Sequence, residues 1–268
     1  MASSSEPVRA RGFLPAQNDA ERLVMRRAQD LYGAAQKHWA ARWSGFLSDR
    51  QQALCAAALN RSGCEWYRFE GGYPDAERKL LGILPPGEAD EPPIAFLQID
   101  CSWDGGMDPP SHKDYLGALT GLLISREAFG DILLDDAAPG RAYLVALQSA
   151  APLLCELRGV GRASARVSPC EKDALLLAAQ KPRQLRTATV ASLRLDAVLA
   201  AMLNCSRGTA AELIRANKVE VNHIAVQNAH SDVYEGDVFT VRGRGRFRLK
   251  ALGGKSRKDR LFIQFFQY

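Results

Sequence analysis

Apolar residues recur at helical spacing through the first third of the chain. Val24, Ala28, Leu31, Ala35 and Trp39 stand three or four apart and share one face, with Asn18 or Asp19 placed to cap the helix they predict. A second helix is expected after Ser48, because Ser48-Asp49-Arg50-Gln51 puts Gln51 where it completes a capping box, and Leu54, Ala58 and Leu59 then line a face. Gly71-Gly72-Tyr73-Pro74 breaks the pattern. Asp75 is then expected to open a short basic helix carrying Arg78 and Lys79, which could either add a phosphate contact or form a solvated face. Residues 84–93 hold four prolines among acidic residues and read as a linker.

Beyond the linker the period changes. Strand signals at 94–101, 131–134, 141–147 and 163–167 enclose two helices. One is capped by Ser111 and expected to run to Ile124 with Leu116, Leu119 and Leu123 inward; the other starts at Pro152 and runs to about Arg158. The order β-α-β-β-α-β predicts a ferredoxin-like, RNA-recognition-like fold, with two helices on one face of an antiparallel sheet. The aromatic-rich strand of true RNA-recognition motifs is missing, and the fold alone names no function.

After Lys181-Pro182, Ser192 is placed to cap a helix over 193–203 with Leu195, Val198, Leu199 and Met202 on one face. Asn204-Cys205 turns the chain, and Ser206 caps a second helix over 207–216 with Ala210, Leu213 and Ile214 inward. Asn217 tolerates the left-handed backbone that ends it. Val219 and Val221 then alternate with polar residues, Asn222-His223 and Glu235-Gly236-Asp237 make turns, and 238–242 and 261–266 supply further strands. The predicted class is α+β: a small, mainly helical N-terminal domain with its linker (1–90), a central split-βαβ domain (91–181), and two helices followed by a small sheet (182–268).

Charge divides the chain at the same place. Residues 1–180 carry 19 basic and 23 acidic side chains, a net −4, whereas 181–268 carry 16 and 7, a net +9. That asymmetry is expected when one module meets a polyanion and the rest does not. With 47% hydrophobic and 24% charged residues the chain is not disordered as a whole. Six cysteines without a Cys-x-x-Cys pair read as reduced thiols of a cytoplasmic protein, and four dispersed histidines give no zinc site. No run of eighteen apolar residues predicts a membrane span. The Ser and Arg content of the first eleven residues admits a targeting leader, against which Glu6 and the brevity of the stretch count.

Arg242, Arg244, Arg246, Arg248 and Lys250 alternate, so an extended strand would project all five to one side and Phe247 and Leu249 to the other. Five cations on one face call for phosphate to neutralise them, and Lys255, Arg257, Lys258 and Arg260 extend the stripe. The alternative is a solvated strand, splayed by a bulge or turn at Gly243 and Gly245.

Leu193-Arg194-Leu195-Asp196, Ser206-Arg207, the run from Ala211 to Asn222, and Glu235-Gly236-Asp237-Val238 together resemble the S4 RNA-binding domain. Asn217 stands where many S4 domains have glycine, a mild departure because both accept the same backbone shape. Residues 71–79 and 111–133, with the domain order, resemble the YlmH-type S4-domain proteins of bacteria, from about Phe13 onward. The resemblance implies a monomeric, non-enzymatic RNA-binding protein on the large ribosomal subunit, with no cofactor or metal and no membrane. It also implies a part in ribosome-associated quality control, where relatives hold peptidyl-tRNA on split large subunits while alanine is added to a stalled chain. The partners so implied are large-subunit ribosomal RNA and peptidyl-tRNA. The RNA-binding residues are then Arg194, Ser206, Arg207, Lys218, Asn222, Arg242, Arg244, Arg246 and Arg248. Arg194 and Arg207 would contact backbone phosphate beside free N–H groups at both helix starts, and Asp196 would orient Arg194 rather than touch RNA.

Three other readings are weaker. Arg194-Leu195-Asp196 echoes the aspartate triplet of pseudouridine synthases, making an S4-domain rRNA-modifying enzyme the alternative; that triplet belongs to a large separate domain for which no room remains. Gly159-Val160-Gly161 follows a helix and precedes a strand, the reverse of a dinucleotide fingerprint. A helix-turn-helix at Asn204-Cys205 leaves the basic sheet unexplained. His112, Lys113 and Asp114 are accounted for by a capping box and an exposed first turn.

Overall fold

The computed structural model describes residues 16, 18–104, 106, 108–179, 185–222, 224–256 and 259–267. The opening stretch with its leader question, the Lys181-Pro182 boundary, His223, Arg257 and Lys258 lie outside them. The chain divides into two compact units, within 12–180 and 181–268.

The first unit begins with α1 (Asp19–His38), whose Asn18 cap accepts the Glu21 N–H at 2.9 Å. β1 (Arg42–Leu47) follows, then α2 (Asp49–Arg61) with the Ser48–Gln51 capping box, β2 (Tyr67–Glu70) and β3 (Lys79–Ile83). The strands form an antiparallel sheet in the order β1-β3-β2. The N-terminal part is therefore helix and sheet rather than mainly helical. The basic helix expected from Asp75 is replaced by a turn leading into β3. Leu80, Leu81 and Ile83 are all buried there, because a middle strand is covered on both faces and favours an apolar run over alternation. Gly82 is required, since a Cβ would sit 2.4 Å from the Trp43 ring.

β4 (Ile94–Ser102), α3 (His112–Gly121), β5 (Phe129–Leu134), β6 (Arg141–Leu147), α4 (Ala151–Leu154), β7 (Gly159–Val160), β8 (Ala163–Pro169) and α5 (Lys172–Ala179) complete this unit. The sheet order β5-β6-β4-β8-β7, antiparallel throughout, is the split-βαβ order with one short strand added. β6 explains why the unit is continuous. Ala142, Leu144 and Ala146 join Tyr115, Leu119 and Leu154 on one face, while Tyr143 and Val145 on the other pack with Phe46, Leu80 and Leu175. α3 stops at Gly121, so Leu123, expected inward, is 96% exposed in a left-handed conformation (φ 58°). α4 is also shorter than its pattern suggested, and α5 escaped notice because its apolar run lacks a clear stripe.

The second unit holds β9 (Leu185–Val190), α6 (Leu195–Leu203), α7 (Arg207–Arg215), β10 (Val219–Val221), β11 (Ile224–Ala225), β12 (Val238–Val241), β13 (Gly245–Lys255) and β14 (Leu261–Gln267). Its antiparallel sheet runs β11-β10-β12-β13-β14-β9. Leu195, Val198, Leu199 and Met202 of α6 pack with Ala210 and Ile214 of α7 against Phe239, Phe247, Ile263 and Phe265. Apart from Ala210, each such buried side chain contributes about 1.5–3 kcal/mol. Asn204, Asn217 and Asn222 take left-handed backbone at successive turns (φ 51°, 55° and 50°). Among the described residues no helix is long and apolar enough to cross a membrane.

Candidate nucleic-acid interface

The starts of α6 and α7 are built differently. Arg194 is the N-cap of α6 and lends no side-chain cap. The N–H groups of Leu195 and Asp196 donate to the carbonyls of Ser231 (2.8 Å) and Ala229 (3.0 Å), and Val233 N–H donates back to Leu193 O. The loop at 228–233 thus covers the donors expected to be free for phosphate at this end. In α7, Ser206 Oγ accepts from Thr209 N–H at 3.1 Å, while the N–H groups of Arg207 and Gly208 have no partner among the described residues. One helix start of the two is therefore open.

Asp196 lies between the helix starts and takes both arginines. Its carboxylate accepts from Arg194 Nε and Nη2 (3.2 and 3.0 Å) and from Arg207 Nη2 (2.7 Å). The Asp196 side chain is 7% exposed, whereas Arg194 and Arg207 are 36% and 51% exposed. Burial alone would raise this carboxyl, but the hydrogen bonds and charges of Arg207 and Arg194 prevail and hold it below the ordinary carboxylate value. The arrangement is a buried anion anchoring two outward cations whose remaining N–H groups meet solvent. A guanidinium nitrogen of Arg194 also meets Nδ1 of His230. His230 and its loop were missed in the sequence because nothing in their local pattern marks a helix cap 36 residues upstream as their neighbour.

The remaining candidates separate into three groups. Ser206 spends its oxygen on the cap, and Asn222 turns inward: its Oδ1 accepts from Val238 N–H (2.9 Å) and its Nδ2 donates to Asp237 (2.7 Å). Lys218 and Arg242 are exposed neighbours past the end of α7, where Arg242 N–H donates to Lys218 O at 2.9 Å. The five-residue stripe is divided by the β12–β13 turn, in which Gly243 and Gly245 have φ of 77° and 101°. Arg242 and Arg244 belong to that turn, and only Arg246, Arg248 and Lys250 share a face of β13 opposite buried Phe247 and Leu249.

Two aromatics join that face. Lys250 Nζ lies 5.2 Å from the centroid of Phe266, which pairs in register with Arg248, and Phe262 is 39% exposed on the same strand. Their signal was present in the alternation of 261–266, where Ile263 and Phe265 point inward. Cations beside rings can hold phosphate and stacked bases together.

The S4 domain family matches residues 193–239. The ribosome-associated protein quality control protein P2 of Bacillus subtilis (strain 168) is 30% identical over 249 residues, 91% of this chain and 94% of that protein. The chain belongs to the protein P2 family. The solved cell division protein ylmH from Streptococcus pneumoniae covers 61% of this chain and 98% of its own at 19% identity and a TM-score of 0.49. In this P2-family chain the S4 match includes Arg194, Asp196, Arg207, Lys218 and His230 and ends before the basic face of β13.

Proposed function

We propose that this P2-family protein binds large-subunit ribosomal RNA through its S4 module and acts, without catalysing a reaction, in the quality control of stalled peptidyl-tRNA. The observation that carries this reading is the pair of solvent-facing arginines fixed on buried Asp196 at two adjacent helix starts, in the third of the chain with net charge +9. Paired guanidiniums suit phosphodiester oxygens, and the Phe266-flanked cations of β13 extend the reach to single-stranded RNA. That the Bacillus subtilis relative is a ribosome-associated quality control protein supports the ribosomal setting. A synthase-like role for Asp196 is disfavoured by three guanidinium hydrogen bonds ending on a carboxylate that is almost wholly buried. The test is sedimentation of lysates containing stalled chains. Cosedimentation with large subunits, lost on Arg194→Ala with Arg207→Ala, is expected; absence from those fractions would sink the ribosomal reading.

A further inference from the structure

The two stretches at 71–79 and 111–133 remain unused by the S4 interface, yet the fold brings them together. Asp131 accepts from Tyr73 Oη (2.7 Å) and from the N–H groups of Glu77 and Arg78 (2.7 and 3.1 Å), which pins the turn before β3 to β5. That pin sets Arg78 against Arg126. Arg78 Nη2 donates to the carbonyls of Phe46 and Arg126 (2.7 and 3.1 Å), while its buried Nε has no hydrogen-bond partner among the described residues. Arg126 Nη1 donates to Phe129 and Gly130 carbonyls, and its guanidinium lies 4.3 Å over the Phe129 ring.

Among the described residues neither guanidinium forms an ion pair. The acids nearby are engaged elsewhere: Glu21 holds Arg50 (2.8 Å), Glu127 reaches Arg27 (3.4 Å), and Asp131 is spent on Tyr73 and backbone. Two adjacent cations held by carbonyls and one aromatic ring, with no paired carboxylate among the described residues, are uncomfortable. Burial and then Arg78 push Arg126 down to about 10, and burial lowers Arg78 against the attraction of Asp131. Both nonetheless stay charged at neutral pH.

These arginines open onto a cleft of about 610 Å³ that Arg50 and the Glu21 and Glu127 carboxylates also line, together with Asn18, Ser48 and Ser125. Each of those three side chains accepts a backbone N–H through its oxygen, so the Ser hydroxyl hydrogens and the Asn amide are left to donate. A second, apolar slot of about 410 Å³, lined by Ala28, Leu31, Leu47 and Leu81, shares Val24 and Glu127 with the cleft. Cationic and neutral donors beside an apolar slot match a ligand with a charged phosphate end and an apolar end.

We propose that this cleft is a nucleotide site, Arg78 and Arg126 taking the phosphates and the apolar slot taking the base, separate from the RNA-binding face of the S4 module. Titration calorimetry of the full chain with ADP and with pyrophosphate tests it. ADP is expected to bind about tenfold or more tightly than pyrophosphate. Ser125→Asp is the discriminating variant: aspartate still caps the Glu127 N–H and places a resident anion by Arg126. It should weaken ADP binding about tenfold or more while leaving RNA affinity and the tryptophan-reported melting transition intact or raised. Arg78→Lys, which keeps the charge and loses the fork, should also weaken ADP. Arg194→Ala with Arg207→Ala should leave ADP binding unchanged, so failure of the S4 reading and failure of this one are distinguishable. No heat with either ligand in the millimolar range, equal affinity for the two, or undiminished ADP binding by folded Ser125→Asp protein would overturn the proposal.

Discussion

Asp196→Asn isolates the anchor beneath the two arginines with little change in volume. Three charge-assisted hydrogen bonds end on this carboxylate, and such bonds are worth about 1.5–3 kcal/mol each when both partners are buried. Arg194 and Arg207 are 36% and 51% exposed, so water replaces much of what they lose, and the amide oxygen keeps a weaker contact. The expected loss is about 2 kcal/mol, or roughly 8–16 °C of melting temperature for a unit of this size. The sequence provides an internal control, because all four tryptophans (Trp39, Trp43, Trp66, Trp103) lie within 12–180. Tryptophan fluorescence should therefore melt unchanged while amide exchange accelerates in α6, α7 and the 228–233 loop. The pH dependence has a definite sign. A carboxyl held below its ordinary value stabilises the fold above about pH 4, and that contribution is lost as pH falls through the lower folded value. The asparagine variant should lack this acid-sensitive limb. Unchanged exchange in α6 and α7, or a tryptophan transition that shifts equally, would refute the assignment of Asp196 as a local anchor.

Further expectations follow from the same geometry. Arg194→Ala with Arg207→Ala should lower the salt dependence of RNA binding by about 1.8 on a duplex, read by anisotropy titration across salt concentrations. Asn222→Ala should cost about 1–2 kcal/mol in chemical denaturation, through lost bonds to Asp237 and Val238, and leave that salt slope unaltered. Phe247→Ala, emptying a site only 1% exposed, should cost about 3–5 kcal/mol by the same assay. Burial pushes the Cys55 thiol up to about 12, so iodoacetamide at pH 8 should label it only after unfolding, which mass spectrometry of tryptic peptides will show.

The legible parts of this sequence were those whose signal is local. Asn18, Ser48 and Ser206 cap where their spacing placed them, and Asn217 adopts the left-handed turn its position required. The split-βαβ order was readable because its strands and helices alternate at separate periods. Covered strands carry less alternation: β6 is still legible at 141–147, whereas β3, buried from Leu80 to Ile83, lacks the period that identifies a strand, and a helix is expected near Arg78 instead. β9 pairs with β14 across more than seventy residues, and no local pattern announces that partner. The candidate interface divides the same way. Arg194, Asp196 and Arg207 were found from their positions at helix starts, whereas His230 and the carbonyls of Ala229 and Ser231 reach α6 through tertiary folding alone. The stripe from Arg242 to Lys250 was read as one extended ladder, and the two glycines that could bend it do so.

Tying two guanidiniums to one carboxylate also restricts what they can report. Each arginine alone could sweep a wide arc and settle on any phosphate in range. If the two bind RNA as proposed, holding both on Asp196 would make them a caliper, satisfied only where a backbone's own curvature sets neighbouring phosphates at their gap. Discrimination at this point would then be metric: the pair would distinguish folded turns of RNA by contour, whatever bases they carry.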